Sequence, residues 1–454
     1  MAQARSYDLI VIGSGAAGGV AAQLAAQAGK KVALIEAVRP GGSTPNFNDL
    51  PSKALLTAAN AYQSARQAKR YGIRIASAAY NFPSIWSWKE KVIAETGVRD
   101  ANEAYAHEHI EYISGRAQFI NKDTVVVHDT PLTAKRFLIA TGAADLMPDI
   151  PGLIETGFIT SREAMELKSP PKSMAIIGAG ATGVEMAEIF GSFGTSITLI
   201  EKAERILPKE DGDVSELLER VFKQRDIDVI TDAHIASVET ATRKKKKLTI
   251  GRNGQNTHLL VDEILVCAGR RPVTNLGLAE AGVSYNSHAI KTNNTLQTSN
   301  RRIYAAGDVT GHGHYTHIST TQGRIAAHNM FERTKVVANY NVIPRTIYAW
   351  PEIAAVGATT EELKAKNIHF SIVTLPISVV ARSIISGDDV GFVKMLAKAD
   401  GHILGASIMA PRATDMIAEI TLAMAHKITV QQIANTVHPF PSWSDAVRVA
   451  CSQF

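Results

Sequence analysis

One pattern, present twice, restricts what this chain can fold into more than any other feature. Asp8-Leu9-Ile10-Val11-Ile12 is a short apolar run of the kind that forms a buried parallel strand. It leads into Gly13-Ser14-Gly15-Ala16-Ala17-Gly18, a small-residue helix predicted through Ala28, and a second strand from Lys31 to Ile35 that ends at Glu36. The same order returns later. Met174 to Ile177 precedes Gly178-Ala179-Gly180-Ala181-Thr182-Gly183, a helix to Phe193, and a strand from Ser196 to Ile200 closed by Glu201. The interval from first glycine to closing acid is identical in the two copies. A Gly-x-Gly-x-x-Gly alone is a weak signal; with a strand before it, a helix after it and an acid ending the next strand, it specifies a dinucleotide site. The glycines allow a tight turn and let backbone N–H groups and the helix dipole approach a pyrophosphate, while Glu36 and Glu201 can accept hydrogen bonds from a ribose. Two such sites, one nested within the other, imply a redox enzyme with a held flavin and an exchangeable nicotinamide.

Composition excludes several alternatives. At 454 residues the chain can hold two to four domains, and 45% hydrophobic with 20% charged residues is ordinary for a globular protein. The net charge of +5 owes much to Arg243-Lys244-Lys245-Lys246-Lys247, which lies between two strand-like runs without interleaved aromatics. It reads as a solvated hairpin tip, and no nucleic-acid partner is expected. Two distant cysteines, Cys267 and Cys451, supply neither a disulfide framework nor metal-ligand spacing, so no metal site is expected. No apolar run is long enough to span a bilayer and Met1 to Tyr7 lacks signal-segment character, so a cytoplasmic location is expected.

Between the two units lies Gly41-Gly42-Ser43-Thr44-Pro45-Asn46-Phe47-Asn48-Asp49-Leu50-Pro51-Ser52-Lys53, leading into a helix predicted over Ala54 to Tyr71. This stretch resembles the active-site segment of the flavin-dependent pyridine nucleotide–disulfide oxidoreductases, which include dihydrolipoamide dehydrogenase, glutathione reductase and mercuric reductase. In those proteins the pattern is Gly-Gly-Thr-Cys-x-Asn-x-Gly-Cys-x-Pro-Ser-Lys, and its two cysteines form a redox disulfide. Gly41, Gly42, Asn46, Pro51, Ser52 and Lys53 match the frame, whereas Thr44 and Asp49 stand at the sulfur positions. The resemblance covers essentially the whole chain. Ala140-Thr141-Gly142-Ala143 with Ile150-Pro151-Gly152 is similar to the crossover out of the flavin domain, and Ala268-Gly269-Arg270-Arg271-Pro272 to the return. Ile303-Tyr304-Ala305-Ala306-Gly307-Asp308-Val309 is similar to the second flavin motif. The implied fold is α/β: two Rossmann-like dinucleotide-binding domains, the second nested in the first, plus a C-terminal α+β dimerisation domain. Expected boundaries are 1–150 with 273–342 for FAD, 151–272 for the nicotinamide nucleotide and 343–454 for the homodimer interface.

The resemblance also assigns residues. FAD contacts are expected from Gly13, Ser14, Gly15, Ala16, Ala17, Gly18, Glu36, Gly42, Ser43, Lys53, Ala117, Thr141, Gly142, Arg271 and Asp308. Nicotinamide-nucleotide contacts are expected from Gly178, Gly180, Ala181, Thr182, Gly183, Glu201 and Gly269. Lys53 and Glu185 match a family pair close to the reacting end of the flavin. Glu201 favours NADH over NADPH, because a carboxylate repels a 2′-phosphate, although Lys202 and Arg205 are near enough to soften that preference. Ala181 stands where some relatives carry a flavin-covering tyrosine; it either opens the flavin face or serves only close packing. Asp49, four residues before Lys53 and on the same helical face, can act as proton donor, pair with Lys53, or simply begin the helix.

Disulfide reduction needs a thiolate and an acid–base group. The family's acid–base histidine belongs to a C-terminal His-x-His-Pro-x-x-Ser-Glu. Here His438-Pro439-Phe440-Pro441-Ser442-Trp443-Ser444-Asp445 places Phe440 in that slot if Pro441, Ser444 and Asp445 are aligned; a shifted register would use His438 instead. The chain therefore reads as an FAD-dependent NAD(P)H oxidoreductase passing electrons to a small non-thiol acceptor such as a quinone. A soluble pyridine nucleotide transhydrogenase and a flavin-bearing NADH sensor are the alternatives.

Overall fold

The computed structural model describes residues 5–454. The chain divides into two compact units, one comprising Met1–Ala54, Ser84–Leu146 and Gly269–Tyr340, the other Leu55–Pro83, Met147–Ala268 and Asn341–Phe454. The division falls inside a helix, Asp49–Gln67, which begins five residues earlier than the sequence suggested because Pro51 sits in its first turn, where a missing N–H costs nothing.

In the first unit, Arg5–Ile12 is the centre of a parallel sheet, flanked by Val32–Glu36 and Thr130–Ile139. Ile110–Ser114 extends one side and Ile303–Ala305 the other, while Thr124–Val127 and Gln118–Phe119 add an antiparallel edge. Leu9, Ile10 and Val11 are fully buried, consistent with a strand covered on both faces. The small residues of helix Ala16–Gln27 permit close packing against helix Thr316–Phe331. A Cβ on Gly323 would meet the Ala17 carbonyl oxygen at 2.3 Å, so that contact requires glycine. The stretches that resemble the two crossovers pair with each other: Ala143–Asp145 and Arg270–Pro272 form a two-stranded antiparallel ribbon.

The second unit repeats the parallel arrangement with Ser173–Ile177, Ser196–Ile200, Ile227–Ile230, Glu263–Val266 and Ile159–Thr160. A three-stranded antiparallel sheet follows, and the basic run spans the turn after strand His234–Thr240 and the first residues of strand Lys246–Arg252. Lys245, Lys246 and Lys247 face Asp262, Glu263 and Glu239 there. The C-terminal portion is a five-stranded antiparallel sheet packed against helices Ala413–Ala425 and Asp445–Cys451. No helix among the described residues is long and apolar enough to cross a membrane.

Within this unit the C-terminal sheet grips one acidic turn. Lys394, on the buried strand Phe392–Ala397, reaches Asp211 at 2.8 Å and Asp213 at 2.7 Å. Arg345 pairs with Glu210 at 3.0 Å, and Thr360 donates through N and Oγ1 to Asp211. Desolvation opposes the charged forms of both Lys394 and Asp211, but their mutual hydrogen bonds win, raising the lysine and lowering the carboxyl. Breaking one side of such a buried pair costs about 3–5 kcal/mol. Lys394→Met should lower stability in denaturant titrations by that order. Asp211, depressed below 3.8, contributes above that pH and loses its contribution as pH falls through the folded value. Lys394, raised above 10.5, contributes fully below that pH and loses its share as pH rises through the folded value. The gap between wild type and variant should therefore be widest between those limits and narrow outside them.

Candidate active site

The two glycine turns are built alike. Gly13 and Gly178 both have φ of +102°, and a Cβ there would strike the carbonyl oxygen of Ala140 or Cys267, each the residue that follows the neighbouring strand. At the end of each second strand the acid folds back onto its own turn. Glu36 accepts from Ser14 N at 2.9 Å, Ser14 Oγ at 2.8 Å and Val38 N at 2.9 Å. Glu201 accepts from Ala179 N at 2.7 Å and Ala203 N at 2.9 Å. Each carboxylate thus holds the glycine loop in place and retains lone pairs for a ribose. Arg205, near Glu201 in sequence, is engaged with the Glu210 carbonyl and Glu361.

No side chain caps either Ala16–Gln27 or Ala181–Ser192, and neither first turn carries an acid. Their leading N–H groups therefore remain available to an anion. Nothing lies within 4 Å of a Cβ placed on Gly180. Gly15 is approached by the backbone of Gly42, whose own Cβ would sit 2.7 Å from the Gly15 Cα. Thr141 donates to the Val273 carbonyl at 2.8 Å, and Ala117 lies in the buried core of the first unit. Asp308 begins a short helical turn; its carboxylate receives Arg270 at 3.1 Å, with His314 at 3.5 Å and Ser319 at 3.4 Å. Arg270 also donates to the Ala143 carbonyl at 2.7 Å, whereas Arg271 is exposed.

The segment after Gly42 is held by contacts to backbone. Asn46 Nδ2 donates to the carbonyls of Pro40 and Gly42, both at 2.8 Å, and Ser52 Oγ donates to the Asn48 carbonyl at 2.7 Å. Ser43 opens the short helix Ser43–Asn46. On that frame the residues at the sulfur positions meet through a third side chain. Thr44 Oγ1 lies 3.0 Å from Thr316 Oγ1, and Thr316 Oγ1 donates to Asp49. Asp49 is also 3.9 Å from Lys53 Nζ. Glu185 is buried in the helix of the second glycine turn and accepts from Tyr348 N at 3.1 Å.

Neither cysteine belongs to this segment. No disulfide joins Cys267 and Cys451, and burial pushes the Cys451 thiol up to about 12. At the C-terminus His438 is fastened by Glu419 at 2.7 Å and the Thr436 carbonyl at 2.9 Å, while Phe440 is 76% exposed within the chain.

A family model described as pyridine nucleotide-disulphide oxidoreductase matches residues 7–328, and the dimerisation-domain model of the same family matches residues 343–451. The chain belongs to the pyridine nucleotide-disulphide oxidoreductase family. A mercuric reductase of Bacillus cereus is 33% identical over 99% of this chain and 71% of its own length. A dihydrolipoyl dehydrogenase of Bacillus subtilis is 32% identical over 98% of each chain. The solved HOCl-induced flavoprotein disulfide reductase RclA from Escherichia coli superposes with a TM-score of 0.88 at 27% identity, over 98% of this chain and 99% of that one.

The chain is thus an FAD-dependent pyridine nucleotide oxidoreductase, and its dimerisation domain supports a homodimer. Its own residues fit both cofactors: two uncapped helix starts, each with a glycine approach and a carboxylate behind it, are what two dinucleotides require. The sequence reading missed Thr316 and Arg270. Thr316 opens a helix far along the chain, and nothing in the order of residues places it beside position 49.

Gly42→Ala should cost the protein much of its flavin, since Gly42 has φ of +67° and its new Cβ would enter the Gly15 backbone. Flavin absorbance per mole of purified protein measures this. Cys451 should resist alkylation at pH 8 in the native protein and react on unfolding, as mass spectrometry of alkylated samples would show.

Proposed function

We propose that this flavoprotein moves electrons from NADH, in preference to NADPH, to a small non-thiol acceptor of the quinone class. The observation that carries this reading is the trio Thr44, Thr316 and Asp49, which occupies with oxygens the place where a disulfide exchanger needs sulfur. FAD, when bound, supplies the chemistry of accepting a hydride from a reduced nicotinamide and returning the electrons to a second substrate. Asp49, beside Lys53, has a carboxylate where a proton donor to that substrate is needed.

The names of the relatives point to thiol chemistry, and this chain departs from it in kind. Soft ions such as Hg²⁺ select thiolates. A disulfide substrate needs an attacking thiolate. Both of this chain's cysteines lie outside the segment, and Cys451 stays protonated. Phe440 at the aligned catalytic position has no proton to exchange, and His438 is occupied by Glu419. The NADH preference is supported by Glu201, because a carboxylate that closes the second glycine turn would repel a 2′-phosphate.

Anaerobic rapid mixing tests the reading. NADH should bleach the yellow protein faster than NADPH, and a water-soluble quinone should restore the colour while lipoamide or glutathione disulfide does not. Restoration by a nicotinamide analogue and not by quinone would make the protein a transhydrogenase; a reduced form that no oxidant discharges would make it a sensor. Asp49→Asn should slow reoxidation by quinone by about tenfold or more and leave reduction by NADH nearly unchanged. Equal losses in both halves would remove Asp49 from the acceptor chemistry.

A further inference from the structure

The oxygens of Thr44, Thr316 and Asp49 form an ordered chain, with Thr316 in the middle. A hydroxyl has one proton to donate and can accept two. With Asp49 ionised, Thr316 directs its proton to the carboxylate, so Thr44 must donate to Thr316. With Asp49 protonated, the same oxygens hold the opposite polarity: Asp49 donates to Thr316, Thr316 to Thr44, and the Thr44 proton points outward. Each state needs only rotation of two hydroxyls.

We propose that Thr316 is a relay residue that carries a proton from Asp49 to Thr44 and onward to an oxygen of the acceptor. The inference rests on the quinone-class acceptor proposed above and adds its proton path. Reduction of a quinone by NAD(P)H consumes one further proton from the medium, giving hydroquinone and NAD(P)⁺; two electrons and one proton leave the nicotinamide together as hydride. The relay delivers the further proton. One O–H bond breaks at Asp49 and one forms on the acceptor, while each threonine receives one proton and passes one on. Asp49 is left as a carboxylate, which the Lys53 ammonium at 3.9 Å stabilises. The Asp49 side chain is 36% exposed, which opens it to proton exchange with water between cycles.

Thr316→Val keeps the shape of the side chain and removes the hydroxyl; Thr316→Ser keeps the hydroxyl. In the flavin-loaded protein, Thr316→Val should be reduced by NADH as fast as wild type but reoxidised by a water-soluble benzoquinone about tenfold or more slowly, with Thr316→Ser restoring the rate. The solvent deuterium dependence of reoxidation should be bowed in wild type, because several protons move together, and become linear in Thr316→Val. Independently of turnover, the infrared band of the Asp49 carboxyl, assigned by its loss in Asp49→Asn, should shift in Thr316→Val in protein that has met no reductant. Wild-type rate and isotope dependence in Thr316→Val, or an unmoved band, would overturn the relay alone. Failure of the unmodified protein to be reoxidised by quinone would overturn the acceptor reading, and the relay with it.

Discussion

The unsatisfied N–H groups at the start of a helix are the constraint on which this molecule depends. A helix has no internal partner for its first four amide hydrogens. In both glycine turns the chain declines every ordinary remedy: no serine, threonine or aspartate caps the helix, and no acid follows in the first turn. The backbone is instead left bare by glycine, and the carboxylate at the end of the next strand secures the loop rather than the helix. The register follows from that. Gly13 must meet Ala140 where Thr130–Ile139 lies beside Arg5–Ile12, and Gly178 must meet Cys267 where Glu263–Val266 lies beside Ser173–Ile177, so each sheet and its glycine turn are one construction.

The residues at positions 44 and 49 are separable from the frame that holds their segment. The Asn46 and Ser52 side chains, donating to backbone carbonyls, and the Gly42–Gly15 approach fix its path. None of those contacts uses the side chain of position 44 or 49. A fold secured in this way can exchange sulfur for oxygen at both positions while its scaffold persists, and the side chains then find new partners among themselves. Thr316 supplies the link, because its hydroxyl can accept and donate at once.

The second unit shows a different economy. Its C-terminal sheet carries a lysine in its interior, a placement tolerated only because Asp211 and Asp213 meet it at hydrogen-bond distance and Arg345 and Thr360 complete the neighbourhood. The same portion supplies Tyr348 N to Glu185. A residue singled out for chemistry by resemblance is thus held by backbone from a segment more than a hundred positions away.

Much of the fold could be read directly from the order of residues, because its signals are local. Strand, glycine turn, helix and closing acid are consecutive at Gly13–Glu36 and at Gly178–Glu201, and burial of an apolar run such as Leu9-Ile10-Val11 needs no distant information. The loss of both sulfurs at positions 44 and 49 is equally a fact of sequence. What replaced them chemically was decided only in three dimensions. Thr316, Arg270 beside Asp308, and Lys394 beside Asp211 are single polar residues with no periodic pattern to announce them. Their meaning comes from hydrogen bonds a few ångströms long, and such bonds join residues that only the packed sheets and helices bring within reach.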